Sequence, residues 1–320
     1  MRALATLTTT LLALIVPSAA TAQAYPAKPV RIIVAYAAGQ GTDIATRYLA
    51  EQLSRDLGQP FVIENKAGAG GNLGTDLAKQ AAPDGYTLTM GTNATHVLNP
   101  FLYSKLAFDP ATDFEPVALV GSFPMIVAVH PSSPIASIPD LISQAQKNAR
   151  GADIAMPSTT ARLVVELLKD QSKAALFGVP YKGSGNAMTD VLGGQVPVIV
   201  DTPTALRPQL AAGKVRAIGV TSARPSSLVA GVKPVAEQGV AGFEVIAWNG
   251  LYAPKGTPAE VVNTLNAAVN KALARPETRQ KLLEFGFEPA GGTARQLADF
   301  AKAERVKWQP IIKAADIKAD

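Results

Sequence analysis

The sequence predicts a two-lobed α/β protein, each lobe a mainly parallel sheet flanked by helices. Three observations lead there. Short β-branched runs alternate with segments of helical period, the pattern of βαβ units and parallel strands. The alternation comes in two series, and 320 residues at 48% hydrophobic composition are enough for two cores of ordinary domain size. Few aromatics and 26 glycines suit thin, closely packed layers.

Residues 30–35 form an apolar run broken only by Arg31. Gly39-Gln40-Gly41 then turns the chain into an amphipathic segment with Ile44, Tyr48, Leu49, Leu53 and Leu57 at helical spacing. The unit repeats with a strand at 61–63, a glycine loop at 68–71, a helix over 72–82, and a Pro83-Asp84-Gly85 turn into a strand at 87–90. The second series follows the apolar run 117–120, with strands at 125–129, 153–156, 179–182, 196–201 and 215–221. From Pro258 the pattern turns helical through residue 312, and these helices can pack back on the first lobe. No Ser/Gly tether separates the series, so short crossing strands are the expected boundary.

The N-terminus reads as an export signal: Arg2, an apolar stretch over 3–16, and small residues in Ala22-Gln23-Ala24 at a cleavage site. Thr6, Thr8, Thr9, Thr10 and Pro17 keep the apolar run short of the roughly 20 residues a spanning helix needs. Residues 1–24 are therefore expected to be removed near Ala24, leaving a soluble exported chain. The count of 0 cysteines excludes disulfides, thiolate metal sites, a cysteine nucleophile and a lipidated N-terminal cysteine. Losing Arg2 lowers the formal charge from +5 to +4, and no Lys/Arg block exists, so nucleic-acid binding is not expected.

Two loops carry the chemistry. Ala37-Ala38-Gly39-Gln40-Gly41-Thr42-Asp43 and Lys66-Ala67-Gly68-Ala69-Gly70-Gly71 each follow a strand and open a helix. Glycines let backbone N–H groups approach a ligand, and a helix N-terminus adds about half a positive charge, which favours an anion. The plainer reading is that these glycines only make turns, that Thr42 or Asp43 caps a helix, and that Asp43 pairs with Arg47 at i,i+4. Neither loop has the third glycine at dinucleotide-site spacing, and no Lys-Ser/Thr pair completes a phosphate loop. His96 and His130 belong to no ligand motif, so no metal or cofactor is expected. Ser184 lacks the glycine of a nucleophile elbow and reads as a helix cap. Asp201 ends an apolar strand, where open α/β sheets place ligand-facing groups, or it caps the segment from Pro203. Ser158, Thr159 and Thr160, and likewise Thr92 and Asn93, read either as caps or as ligand contacts. Trp248 and Trp308 read as packing.

An ordered set of short motifs resembles the Bug-type substrate-binding receptors of tripartite tricarboxylate transporters. It comprises Tyr25-Pro26-x-Lys28-Pro29-Val30-Arg31, the 39–43 loop, Glu64-Asn65-Lys66-Ala67-Gly68-Ala69-Gly70-Gly71, Pro83-Asp84-Gly85-Tyr86-Thr87, His96 with Asn99-Pro100, and Asp113-Phe114-x-Pro116-Val117. Val179-Pro180-Tyr181-Lys182-Gly183, Leu192-Gly193-Gly194, Ala212-Gly213-Lys214-Val215-Arg216-Ala217, Trp248-Asn249-Gly250-Leu251, Ala253-Pro254-Lys255-Gly256-Thr257-Pro258 and Lys307-Trp308 complete it.

The resemblance implies a type II periplasmic flytrap fold crossed twice by the chain, with lobe 1 at 25–124 plus 252–320 and lobe 2 at 125–251. It implies a periplasmic, non-enzymatic, monomeric receptor that delivers a small organic carboxylate to the transporter's membrane subunits. Tyr36, Ala37, Gly39, Gln40, Thr42, Asp43, Gly70 and Gly71 would hold a carboxylate through main-chain groups and ordered waters. Thr159 and Asp201 would meet the ligand's other end, with Ser158 and Asn93 beside them. A ligand sensor for a two-component system, or a nucleotide-using α/β enzyme, are the alternatives. Two departures from relatives stand out: Gln40 at the first loop, and Met156-Pro157-Ser158-Thr159-Thr160-Ala161-Arg162, where Arg162 replaces the usual histidine.

Overall fold

A computed structural model describes residues 25–319, so the signal read at residues 1–24 lies outside it. The first unit runs β1 (Val30–Val34), α1 (Gly41–Leu57), β2 (Phe61–Asn65), α2 (Asn72–Lys79), β3 (Thr87–Thr92) and α3 (Asn99–Leu102). Leu49 and Leu53 bury one face of α1, and Gly58 ends it in the left-handed region at φ 69°, donating its N–H to Ser54 O. Then β4 (Phe114–Pro124) leads out to β5 (Ile126–Val129), α4 (Ile138–Lys147), β6 (Ala152–Met156), α5 (Thr159–Ser172) and β7 (Leu176–Pro180). After these come α6 (Ser184–Leu192), β8 (Val198–Asp201), α7 (Pro203–Ala211) and β9 (Arg216–Val220). The chain returns along β10 (Ile246–Pro254) to α8 (Ala259–Ala274), α9 (Pro276–Glu284), β11 (Glu288–Pro289) and α10 (Ala294–Ala314).

Two sheets result, ordered β11-β4-β10-β3-β1-β2 and β7-β6-β8-β5-β9. Each has the parallel core expected of βαβ units: β1 between β2 and β3, and β6 between β7 and β8. The crossing strands add antiparallel neighbours, with β10 between β3 and β4, and β5 between β8 and β9. The return crossing precedes Ile246 rather than following Leu251, because Ile246 to Leu251 already pair with Pro124 to Ala118. Strand β7 spans Leu176–Pro180 instead of 179–182. It is an edge strand with Phe177 half-exposed, so its apolar run is a poor guide to its ends.

The C-terminal helices pack on the first sheet, with α8 and α10 against β4. A Thr293/Gln296 capping box starts α10. Trp308 is buried on it, and Trp248 of β10 meets Phe300 edge-on at 5.4 Å, so both tryptophans are packing residues. Among the described residues, no helix is long and apolar enough to cross a membrane.

Both crossings meet at Thr221. Its hydroxyl accepts from Met125 N at 2.8 Å and donates to Val245 O at 2.5 Å, while its backbone bonds the same two residues. The residue is fully buried. Thr221→Val keeps the shape but strands a buried N–H and a buried C=O, so urea unfolding should show a loss of about 2–4 kcal/mol. Thr221→Ser, which restores the hydroxyl, should recover most of it; equal losses in both variants would mean that packing, not the hydroxyl, holds the crossings.

Candidate functional site

The loops at the carboxyl ends of β1 and β2 in one sheet, and of β6, β7 and β8 in the other, converge on one cleft, the position open α/β sheets use for ligands. Its outer chamber is about 430 Å³ and its inner chamber about 40 Å³. Tyr36, Gln40 and Ser158 line both.

The first loop is shaped by Asp43. Its carboxylate accepts from Gly39 N at 2.8 Å, Asn65 Nδ2 at 2.8 Å and Arg47 Nε at 3.0 Å. Burial alone would raise its pKa, but the bonds from Arg47, Gly39 and Asn65 bring it below the ordinary carboxylate value. Asp43, Gly39 and Ala37 belong to this loop but line neither chamber. Asp43 is spent on the loop, and the Gly39 and Ala37 amides are spent on Asp43 and on Gln40 Oε1, the latter at 3.0 Å. Neither Thr42 nor Asp43 caps α1. Gln40 occupies the cap position, no side chain caps the helix, and Gly41 and Thr42 face the inner chamber.

The second loop turns through three glycines in positive φ: Gly68 at 147°, Gly70 at 61° and Gly71 at 95°. A Cβ on Gly70 would stand 2.4 Å from Tyr103 Oη and 2.6 Å from Thr159 Oγ1, so only glycine lets the lobes meet here. Gly71 precedes α2, which also lacks a side-chain cap. Tyr36 joins the floor by a 2.8 Å bond to Thr92 Oγ1, and burial raises its phenol to about 12, so it stays protonated.

From the second sheet, Ser158 caps α5 by accepting from Ala161 N at 3.2 Å while also lining the cleft. Thr159 faces Gly70, and Thr160 donates to Asn93 Oδ1 across the cleft at 3.2 Å. Arg162, one turn into α5, lines the outer chamber and donates to Lys318 O at 3.2 Å. Ser184 is not a cap; Gly183 holds that position and Ser184 faces the inner chamber. Nor does Asp201 cap α7, since Thr202 does.

Asp201 and Asn249 complete the inner chamber, both about 1% exposed. Asp201 Oδ1 accepts from Thr202 N at 2.7 Å, whereas Oδ2 and Asn249 Nδ2 have no hydrogen-bond partner among the described residues. A group that donates to one and accepts from the other satisfies both. Sequence reading missed Tyr103, Asn249 and the placement of Ser184. Asn249 had a signal as the lone polar side chain inward on an apolar strand; Tyr103 had none. Both histidines lie outside the cleft. His96 is stacked on Tyr252 at 4.0 Å, and burial, then Arg305, lowers it to about 3, so it stays neutral.

A family model described as "Tripartite tricarboxylate transporter family receptor" matches residues 45–317. Protein BugT of Bordetella pertussis is 32% identical over 93% of this chain and 92% of its own. Rpa4515 of R. palustris, solved with adipate, has a TM-score of 0.88 at 35% identity, covering 92% of this chain and 99% of that one. MatC of Rhodopseudomonas palustris with bound malate has a TM-score of 0.84 at 33% identity, covering 90% and 100%.

Burial raises Asp201 from 3.8 to about 6, against smaller lowering effects of the Ser184 hydroxyl and the Thr202 amide. A carboxyl with a higher pKa folded than unfolded contributes stability below the unfolded value and loses it as pH rises through the folded one. Asp201→Asn should therefore gain stability relative to the parent between pH 4 and pH 7, by on the order of 2–3 kcal/mol in urea midpoints. An offset that does not change with pH would count against this.

Proposed function

The chain belongs to the tripartite tricarboxylate transporter receptor family, and from that premise we propose that it captures a small organic carboxylate between its lobes in the periplasm and presents it to the transporter's membrane subunits. The observation that carries the reading is at the cleft. Helix α2 begins at the outer chamber and α1 at the inner one, both without side-chain caps, and the outer chamber is lined by no carboxylate. The positive ends of two helix dipoles thus meet the one cleft, and the end of α2 with the glycine loop faces the chamber that suits an anion. The relatives holding adipate and malate bind carboxylates in the same fold.

In this reading Gln40, Gly70 and Gly71 take the ligand carboxylate from lobe 1, with Tyr36 as floor. Thr42, Asn93 and Asp201 line the recess behind it, and Ser158 and Thr159 approach from lobe 2. The lobes are 25–124 with the C-terminal segment from Ile246, and the residues between. Lobe closure selects the bound state through contacts that span the cleft. Thr204 Oγ1 donates to Phe285 O at 2.5 Å, Arg207 donates to Leu283 O at 2.9 Å, and Ser227 bonds Glu288 at 2.9 Å. Release needs only reopening, so no covalent step enters.

Thermal melting of the mature protein with organic acids should rise, by about 2.7 kcal/mol of stabilisation at a ligand concentration of 100 times Kd. If sugars or amines raise the melt and no acid does, the carboxylate reading is wrong. Gly70→Ala wedges a methyl between Tyr103 and Thr159. It should abolish the ligand-induced shift while lowering unliganded stability by only about 1–2 kcal/mol. An unchanged ligand shift would place the ligand elsewhere.

A further inference from the structure

The floor of the cleft continues into the core of lobe 1 as a chain of side-chain hydrogen bonds. Tyr36 Oη lies 2.8 Å from Thr92 Oγ1, Thr92 Oγ1 lies 3.3 Å from Thr95 Oγ1, and Thr95 Oγ1 lies 2.9 Å from His96 Nδ1. Tyr36 lines both chambers, and a Cβ on Gly71 would stand 3.4 Å from its Oη, so the outer end of the chain is beside the second glycine loop. The inner end is sealed: Thr95 and His96 have no solvent exposure, and Thr92 is 4% exposed. One turn of π-helix, Ala94–Leu98, sets Thr95 and His96 side by side and brings Thr95 back onto Thr92.

Each hydroxyl in such a chain has one proton to donate and two lone pairs to fill, so the direction of donation is set at one end. That end is the imidazole. His96 Nε2 is buried with no hydrogen-bond partner among the described residues, whereas Nδ1 faces Thr95. A proton on Nε2 is a buried donor with no acceptor; a proton on Nδ1 leaves Nε2 a bare acceptor, the less costly orphan. With the proton on Nδ1, Thr95 Oγ1 accepts from His96 and from Thr92 N at 3.1 Å, and both its lone pairs are filled. Its own proton goes to Thr92 Oγ1 at 3.3 Å, a nearer acceptor than Thr92 O at 3.5 Å. Thr92 Oγ1 also accepts from Thr95 N at 3.3 Å, so its proton in turn is directed to Tyr36 Oη. The Tyr36 proton is then left to point into the cleft.

We propose that His96 is a positioning residue: its Nδ1 proton orders the Thr95 and Thr92 hydroxyls so that Tyr36 presents a proton, not a lone pair, to the ligand carboxylate. The inference rests on the carboxylate reading above and assigns a function to buried residues that touch no ligand. An ionised carboxylate only accepts hydrogen bonds, so a phenol donating inward would turn a lone pair toward it. The relay makes an ambivalent hydroxyl a fixed donor before the ligand arrives, and a donor already oriented loses less freedom on binding.

Nitrogen-15 NMR of the full mature chain labelled at histidine reads the tautomer directly. The chain has 2 histidines, and a His130→Gln variant assigns their signals. His96 should carry its proton on Nδ1 from about pH 5 to pH 8; a proton on Nε2 overturns the relay and leaves the carboxylate reading intact. Calorimetric titration with adipate, malate and the other organic acids of the melting experiment supplies the second arm. Tyr36→Phe should weaken acid binding about tenfold or more. Thr95→Val should move the His96 proton to Nε2 and weaken binding by roughly threefold to tenfold, while Thr95→Ser should keep the parent tautomer and affinity. In the Tyr36→Phe background Thr95→Val should add no further loss. An equal loss in both backgrounds, or an unchanged affinity in Tyr36→Phe, overturns the proposal. If Thr95→Val does not fold, the parent tautomer and the Tyr36→Phe affinity decide it. Binding of no acid to the parent sinks the carboxylate reading itself, and the role of the relay with it.

Discussion

The architecture depends on the buried hydroxyl of Thr221, where the chain's two passages between the sheets are tied together. Met125 follows the outgoing strand and Val245 precedes the returning one, and Thr221 bonds to both through side chain and backbone. Both passages between the sheets are thus held side by side at one buried residue. The same junction explains the antiparallel strands: β10 enters the first sheet from the second unit, so it runs against β3 and β4. Because the crossings lie at one edge of the gap, the carboxyl ends of the parallel strands in both sheets are left facing each other.

What fills that gap is mostly main chain. Side chains that look like ligand contacts are occupied in building the loops, Asp43 most plainly, since its carboxylate holds Gly39, Asn65 and Arg47 at once. That arrangement keeps the first loop in shape without placing a negative charge on the cavity wall. The helix starts α1 and α2 are uncapped, in contrast to α5 and α7, which Ser158 and Thr202 cap. Uncapped N–H groups at a wet cleft are available to a ligand; the capped ends are already satisfied. Asp201 is the exception on the acidic side, a buried carboxyl confined to the inner chamber and away from the outer wall.

Local patterns carried far into the fold. The β-branched runs and the glycine turns specify strands and loops through interactions within a few residues, and both are legible in the sequence. Family membership was equally legible, because ordered motifs accumulate along the whole chain. Edges were harder: β7 and the β10 boundary depend on which strand lies alongside, and a hydrogen-bonding partner many residues away leaves little local trace. The return into the first sheet at Ile246 is set by Phe123 and Pro124, more than a hundred residues earlier.

The candidate site divides in the same way. That Gly70 and Gly71 must bend into positive φ follows from glycine itself. That Gly70 touches Thr159, that Tyr103 closes its other side, and that Asn249 faces Asp201 across one small chamber are contacts between residues far apart in the chain. Ala37, Gly39 and Asp43 belong to the right loop yet line neither chamber, since hydrogen bonds within the loop engage their polar groups. The sequence by itself determined most of the strands and helices and the two glycine loops, because these obey short-range rules of backbone and period, but not the long strand β10. Which polar groups remain unsatisfied and turn toward the cleft was decided only when the two sheets packed, because satisfaction is a property of partners and the partners come from everywhere in the chain.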